Sequence, residues 1–220
     1  MAPTPAPGAP DGEPSPLLIA CALGIERLAL RLGAGGGPRG PVTVLRTGMG
    51  PEAAERAVRG ALGRPGPAPG AVLATGFCAG LVPGMHPGDV VVAEETRDPY
   101  GTTPCVGTGV LADALAWAIP SRKVHVGALT GSDHVVRGPE RAGLAATGAV
   151  AVDMESAATL RTALAAGERP VAAVRVVVDA PEHELVRIGT LRGGIAAFRV
   201  LRCILPAFHT WHRDVPLHRR

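Results

Sequence analysis

The feature that most constrains this chain is a series of short runs of Val, Ala, Leu and Ile, each closed by Gly or Pro and followed by residues at helical spacing. Runs this short and this uniformly apolar are the pattern of strands buried on both faces, not of a sheet with one wet side. They predict strands near Leu17–Leu23, Val42–Thr47, Ala71–Thr75, Asp89–Ala93, Val124–Leu129, Ala149–Val152 and Val171–Val178. Helical spacing predicts helices over Ile25–Leu32, Glu52–Leu62, Leu111–Ala118, Pro139–Ala146 and Ser156–Ala166, with Pro51 suited to a first helical position and Gly167 to a stop. Strands alternating with helices imply an α/β domain of three layers, a sheet covered on both sides.

Aromatic residues are only 3% of the chain against 46% hydrophobic residues in all, so the core must come from aliphatic side chains. A chain of 220 residues suits one domain. We read residues 1–14 as a disordered Pro/Ala/Gly tail, 15–189 as the domain and 190–220 as a C-terminal amphipathic helix with a basic tail. The start lacks a basic segment followed by an apolar run, so no secretory signal is expected. Pro65–Gly88 contains no Asp, Glu, Lys or Arg, but five prolines interrupt it, which argues against a membrane span. A cytoplasmic protein is expected.

The net charge of +3 comes almost wholly from arginines spread along the chain, with Lys123 the one lysine, so no nucleic-acid footprint is read. Cys21, Cys78, Cys105 and Cys203 are far apart and mostly within apolar runs, as buried thiols of a reducing compartment would be. His209, His212 and His218 have no Cys or acid to complete a site, so no metal is expected.

Two Gly-rich segments follow predicted strands: Thr47-Gly48-Met49-Gly50-Pro51, and Thr75 to Leu81 with Gly76, Phe77 and Gly80. Turns at strand ends describe a small-molecule crevice, although glycine there also serves geometry alone. Neither matches a phosphate-binding loop or a dinucleotide fingerprint. Val152-Asp153-Met154-Glu155 passes from strand to helix with two carboxylates, which either cap the helix or bind something. Val174–Val178 ends at Asp179, placed either to cap a turn before Pro181 or to donate a proton near neutral pH.

In order and spacing these pieces, with Ala22-Leu23-Gly24-Ile25-Glu26 and Gly131-Ser132-Asp133, resemble the purine nucleoside phosphorylase and methylthioadenosine/S-adenosylhomocysteine nucleosidase superfamily, and within it the hopanoid-associated phosphorylases. The resemblance runs from Leu18 to Asp179. It implies a nucleoside phosphorylase-like αβα fold with a central mixed sheet, and cleavage of the N-glycosidic bond of a purine nucleoside with release of adenine. Glu155 would hold a ribose hydroxyl and stabilise an oxocarbenium-like cation, and Met154 would pack on the sugar. Asp179 would hold the purine edge and protonate it, and Glu26 would position water. Gly48, Gly76, Phe77, Asp153, His134 and Val135 would complete the substrate site.

The chain departs from the family in two places. Val178 stands where many relatives carry a serine that can orient the catalytic Asp. The Thr75–Leu81 segment lacks the Arg and Ser that hold phosphate in bacterial phosphorylases. A phosphate co-substrate would then need Arg46 or Arg175, and otherwise water attacks. No other cofactor is implied, and a homo-oligomer is.

Thr190–Trp211 places Leu191, Ile195, Phe198, Leu201, Ile204 and Leu205 near one helical face, among arginines. Such a helix either packs on the sheet or lies at an anionic membrane surface, where it would suit a lipid-tailed nucleoside such as adenosylhopane. Three functions are carried forward: an adenosylhopane-cleaving enzyme, a methylthioadenosine/S-adenosylhomocysteine nucleosidase, and a non-catalytic nucleoside- or membrane-binding protein.

Overall fold

The computed structural model describes residues 16–33, 42–66, 69–179 and 189–215, with 189–193 as helical backbone. Strand β1 (Leu17–Cys21) lies parallel to β2 (Val42–Arg46) on one side and to β3 (Ala71–Gly80) on the other. β3 serves two more neighbours: most of it runs parallel to β8 (Val171–Asp179), and Ala79 and Gly80 run antiparallel to β7 (Ala149–Asp153). β8 then passes antiparallel along β4 (Val90–Asp98), β4 runs parallel to β6 (Val124–Gly131), and β6 runs parallel to β7. Strands β3, β8, β4, β6 and β7 thus close on one another. β5 (Gly101–Pro104) flanks β4 antiparallel, completing the expected mixed sheet of eight strands.

Alternate residues of each buried strand feed different cores. Leu17 and Ile19 of β1 join Leu73, Val174 and Val176 beneath α1 (Gly24–Gly33), α3 (Thr108–Ala118), α6 (Gly189–Cys203) and α7 (Leu205–Asp214). Leu18 and Ala20 point the other way, to Val72, Ala74 and Val177, covered by Val58 of α2 (Pro51–Leu62) and by Leu160 and Ala163 of α5 (Ser156–Ala165). This double burial is why the strands read as unbroken apolar runs. Each aliphatic side chain fully buried contributes about 1.5–3 kcal/mol. α4 (Pro139–Ala146) packs beside β7 through a smaller cluster of Leu81, Val136, Ala149 and Val152.

Several sequence expectations are corrected. The segment from Thr75 to Gly80, expected as a turn, continues β3, because β8 pairs with it residue by residue through Cys78. β4 likewise extends to Asp98, and β5, short and polar, was not expected. The single C-terminal helix is two: α6 ends at Cys203, and Pro206, which lacks an N–H, sits in the first turn of α7. Leu201, Ile204, Leu205, Phe208 and Trp211 are fully or almost fully buried in the core, so this part of the apolar face packs against the domain, whereas Ile195 on the same predicted face is 45% exposed. Among the described residues no helix is long and apolar enough to cross a membrane. All four thiols are free, but only Cys21 and Cys78 are buried; Cys105 is half-buried and Cys203 exposed. The expected tail, residues 1–14, Pro181, Leu191 and His218 lie outside the described residues or side chains.

Candidate active site

The ends of three strands define a cavity of about 170 Å³: Phe77–Ala79 of β3, Val152 and Asp153 of β7, and Val178 and Asp179 of β8. Ala22, Leu23 and Glu26 at the start of α1 close one side. Met49, 66% exposed, and Val135, 58% exposed, stand at its mouth with His134.

The centre of the charge arrangement is Arg175, in the middle of β8 and only 1% exposed. Its Nε lies 2.6 Å from Asp153 Oδ2 and donates to Ser156 Oγ at 2.9 Å, while its Nη1 is 3.6 Å from Glu155 Oε2. Burial alone would push the guanidinium down, but the carboxylates of Asp153, Glu155 and Glu26 outweigh it and raise its hold on the proton. Arg175 is therefore the counterion of a carboxylate cluster; its Nη1 has no hydrogen-bond partner among the described residues, but Arg175 does not line the cavity. Arg46, the other candidate, is exposed at the end of β2 and does not line the cavity.

Glu26 and Glu155 are both buried and both line the cavity. Glu26 accepts the backbone N–H of Leu23 at 2.7 Å and of Phe77 at 2.8 Å, tying α1 to β3. Burial pushes its carboxyl above the ordinary glutamate range, with Arg175 and these amides pulling back only in part. Glu155 accepts the N–H of Gly50 at 3.0 Å, which locks the Thr47–Pro51 turn to the start of α5. Gly50 turns there with φ +89°, a conformation that favours glycine. Burial is also the main cause that raises Glu155, opposed by Arg175 and reinforced by Asp153.

Besides pairing with Arg175, Asp153 accepts the N–H of Ser156, the first residue of α5, at 3.2 Å, while the N-cap position itself is Glu155. Gly76 is required for space, since a Cβ there would stand 2.5 Å from Glu26 Oε1 and 2.8 Å from Arg175 Nη1, at φ +132°. Neither Gly76 nor Gly48 lines the cavity; the Gly48 N–H donates to the carbonyl of Ala22 at 3.1 Å. Phe77, Met154 and Val135 do line it. His134 also lines it, held at the rim between Asp133 (2.6 Å) and Glu140 (3.0 Å), whose hydrogen bonds raise its hold on the proton. Burial pushes the Cys78 thiol, another lining group, far above its ordinary value, so it is no nucleophile.

Asp179, at the end of β8, is buried and paired. Arg141 of α4, also buried, donates from Nη2 to its Oδ2 in a short ion pair. Asp179 Oδ1 and Arg141 Nη1 are buried without a hydrogen-bond partner among the described residues. Arg141 is the residue that sequence reasoning missed. The available signal was a cation in the first turn of a helix, where the dipole disfavours positive charge and only a local anion justifies it.

The model of the Phosphorylase superfamily matches residues 32–187, more than half of the chain. The chain belongs to that superfamily. This supports the expected enzyme class of phosphorylase or nucleosidase. A search of curated proteins returned no match. Among solved structures, this phosphorylase-superfamily chain is similar in fold to the 5'-methylthioadenosine/S-adenosylhomocysteine nucleosidase of Neisseria meningitidis in complex with methylthio-immucillin-A, at 21% identity and TM-score 0.71, covering 91% of this chain and 100% of that one. The S-adenosylhomocysteine nucleosidase of Streptococcus pyogenes in complex with 5-methylthiotubericidin is similar at 20% identity and TM-score 0.71, over 94% and 100%. The nucleosidase of S. pneumoniae with a transition-state inhibitor gives 19% and 0.71, over 90% and 100%. Among the described residues, no group of three or more His, Cys, Asp or Glu side chains could hold a metal ion.

Proposed function

We propose that this chain hydrolyses the N-glycosidic bond of an adenine nucleoside, releasing adenine, with Glu155, Glu26 and Asp179 as its catalytic residues. The observation that carries the reading is the convergence of these three buried carboxyl groups on one cavity, with Arg175 beside Glu155 and Arg141 paired with Asp179. A departing base leaves positive charge on the ribosyl carbon and oxygen, and fixed carboxylates in a site shielded from water stabilise that charge as it develops. Glu155 stabilises the cation and holds a ribose hydroxyl, with Met154 against the sugar. Asp179 gives a proton to a ring nitrogen of the base as the bonding pair leaves with it. Glu26 takes a proton from water as the water oxygen bonds to the sugar carbon, and its raised proton affinity suits it to act as a base close to neutral pH.

Water is favoured over phosphate because the cavity offers an anion little. Arg175 and Arg46 do not line the space, Arg141 does but is paired with Asp179, and four carboxyl groups face it. A cavity of about 170 Å³ is smaller than the roughly 300 Å³ at which ligand pockets usually begin, so part of a nucleoside extends past the mouth. Exposed Met49 and Val135 there suit an apolar 5' substituent, and also the homo-oligomer that the resemblance implies.

The neighbouring nucleosidases support methylthioadenosine and S-adenosylhomocysteine as the first substrates to try, with adenosylhopane as the lipid-tailed alternative. The test is chromatographic detection of adenine from each, with and without phosphate. Release that does not depend on phosphate and yields free ribosyl product supports the reading. Release that requires phosphate and yields a 1-phosphate refutes hydrolysis, and binding without release places the chain among nucleoside-binding proteins.

A further inference from the structure

The sequence leaves Asp179 without the neighbouring hydroxyl that could orient it, since residue 178 is Val. The structure supplies a different partner. Arg141 is launched from the first turn of α4, its N–H donates to Gly138 O at 3.1 Å, and its Nε lies 3.5 Å from the carbonyl of Val136, a buried residue packed with Leu81 and Val152. The guanidinium is buried, and its Nη2 holds Asp179 Oδ2, while its Nη1 has no hydrogen-bond partner among the described residues. The other carboxyl oxygen, Oδ1, has no hydrogen-bond partner among the described residues. Leaving a buried polar atom unpaired is costly, and here the atom belongs to a residue that lines the cavity.

We propose that Arg141 is the positioning residue for Asp179: it fixes one oxygen, turns the other to the ligand, and compensates the charge that appears when Asp179 gives up its proton. This rests on the reading of Asp179 as the proton donor. In that step the proton passes from Asp179 to the ring nitrogen, the C–N bonding pair goes to the base, and Asp179 is left as a carboxylate opposite a permanent cation. The pairing is stronger after transfer than before, so it acts on the transition state more than on substrate binding. Arginine suits the task because it stays charged and its planar fork keeps a fixed direction. The other titratable groups lining the same cavity are Glu26 from α1, Cys78 from β3, Asp153 and Glu155 around the end of β7, and His134 from the loop before α4.

The test follows adenine release for the wild type, Arg141→Met, Arg141→Lys, Asp179→Asn and the Met/Asn double variant, using whichever of the nucleosides above the wild type cleaves. Without the cation, the carboxylate left by proton transfer lacks its fixed partner and Oδ1 is less directed. Arg141→Met is expected to lower kcat by about 10- to 100-fold, less than the about 10²–10⁴ that a whole general acid supplies, while KM changes little. Arg141→Lys restores part of kcat. In the Asp179→Asn background, Arg141→Met costs nothing further. A loss confined to KM, no recovery with Arg141→Lys, or losses that multiply in the double variant overturn the proposal. If circular dichroism shows Arg141→Met unfolded, Arg141→Gln, which keeps hydrogen bonding without charge, is read by the same split between kcat and KM. No adenine from any nucleoside with the wild type defeats the reading of the reaction itself, and the proposal falls with it.

Discussion

Replacing Arg175 with Met should expose how the charge cluster is held. Arg175 is fully buried and faces Asp153 at 2.6 Å and Glu155 at 3.6 Å, and its charge also bears on Glu26. Breaking a buried ion pair by removing one partner typically costs about 3–5 kcal/mol, because the remaining charge is left uncompensated. That is a large part of the about 5–15 kcal/mol by which a domain is stable. The sign of its pH dependence follows from the two glutamates. Burial already holds Glu26 and Glu155 above the ordinary glutamate range, and loss of the cation raises them further. A carboxyl whose folded value is raised contributes stability that is present below its unfolded value and lost as pH rises through the folded one. The variant should therefore lose about 3–5 kcal/mol near pH 8 and visibly less near pH 5. Urea unfolding followed by tryptophan fluorescence reads this, since Trp211 is fully buried. A loss under about 1 kcal/mol near pH 8, or an equal loss at both pH values, would refute the account of the cluster.

Gly76→Ala should cost about 2–4 kcal/mol, since its Cβ would meet Glu26 Oε1 at 2.5 Å in a backbone conformation that disfavours a side chain; thermal unfolding checks it, and a neutral effect contradicts it. Trp211→Phe should cost about 1–3 kcal/mol by leaving the Val106 carbonyl, now 2.8 Å from Nε1, without its donor, and the same unfolding assay measures it. The acid limb of the rate profile should lie above the ordinary glutamate range, because Glu26 must be ionised to take a proton and burial raises it; a limb within that range would remove Glu26 from the role.

What the sequence made legible, and what it hid, follows from where each group spends its side chain. β1, β7 and β8 were readable because both faces of each are largely buried, so their residues are apolar apart from Arg175 and the closing Asp153 and Asp179. β3 was cut short at Thr75 because Gly76 and Gly80 look like turn residues. They lie in a strand, and at Gly76 the neighbouring space is filled by Glu26 and Arg175. β5 escaped because a short polar edge strand carries no hydrophobic period. The break between α6 and α7 was written in Pro206, but the apolar spacing continued across it. Glu26 came with the family resemblance, and Glu155 and Asp179 stood out as charges placed beside apolar strands. The identity of their counterions did not, because Arg141 and Arg175 come from a helix start and a mid-strand position that only the folded chain brings to the cavity.

The most direct test of the central claim is the rate of adenine release from methylthioadenosine by the wild type, Glu155→Gln and Asp179→Asn, each checked for folding by circular dichroism. The account predicts release by the wild type and losses of at least about 10²-fold in kcat for both folded variants, since each group acts on charge that develops only in the transition state. Wild-type release that survives either substitution within a few-fold would contradict it.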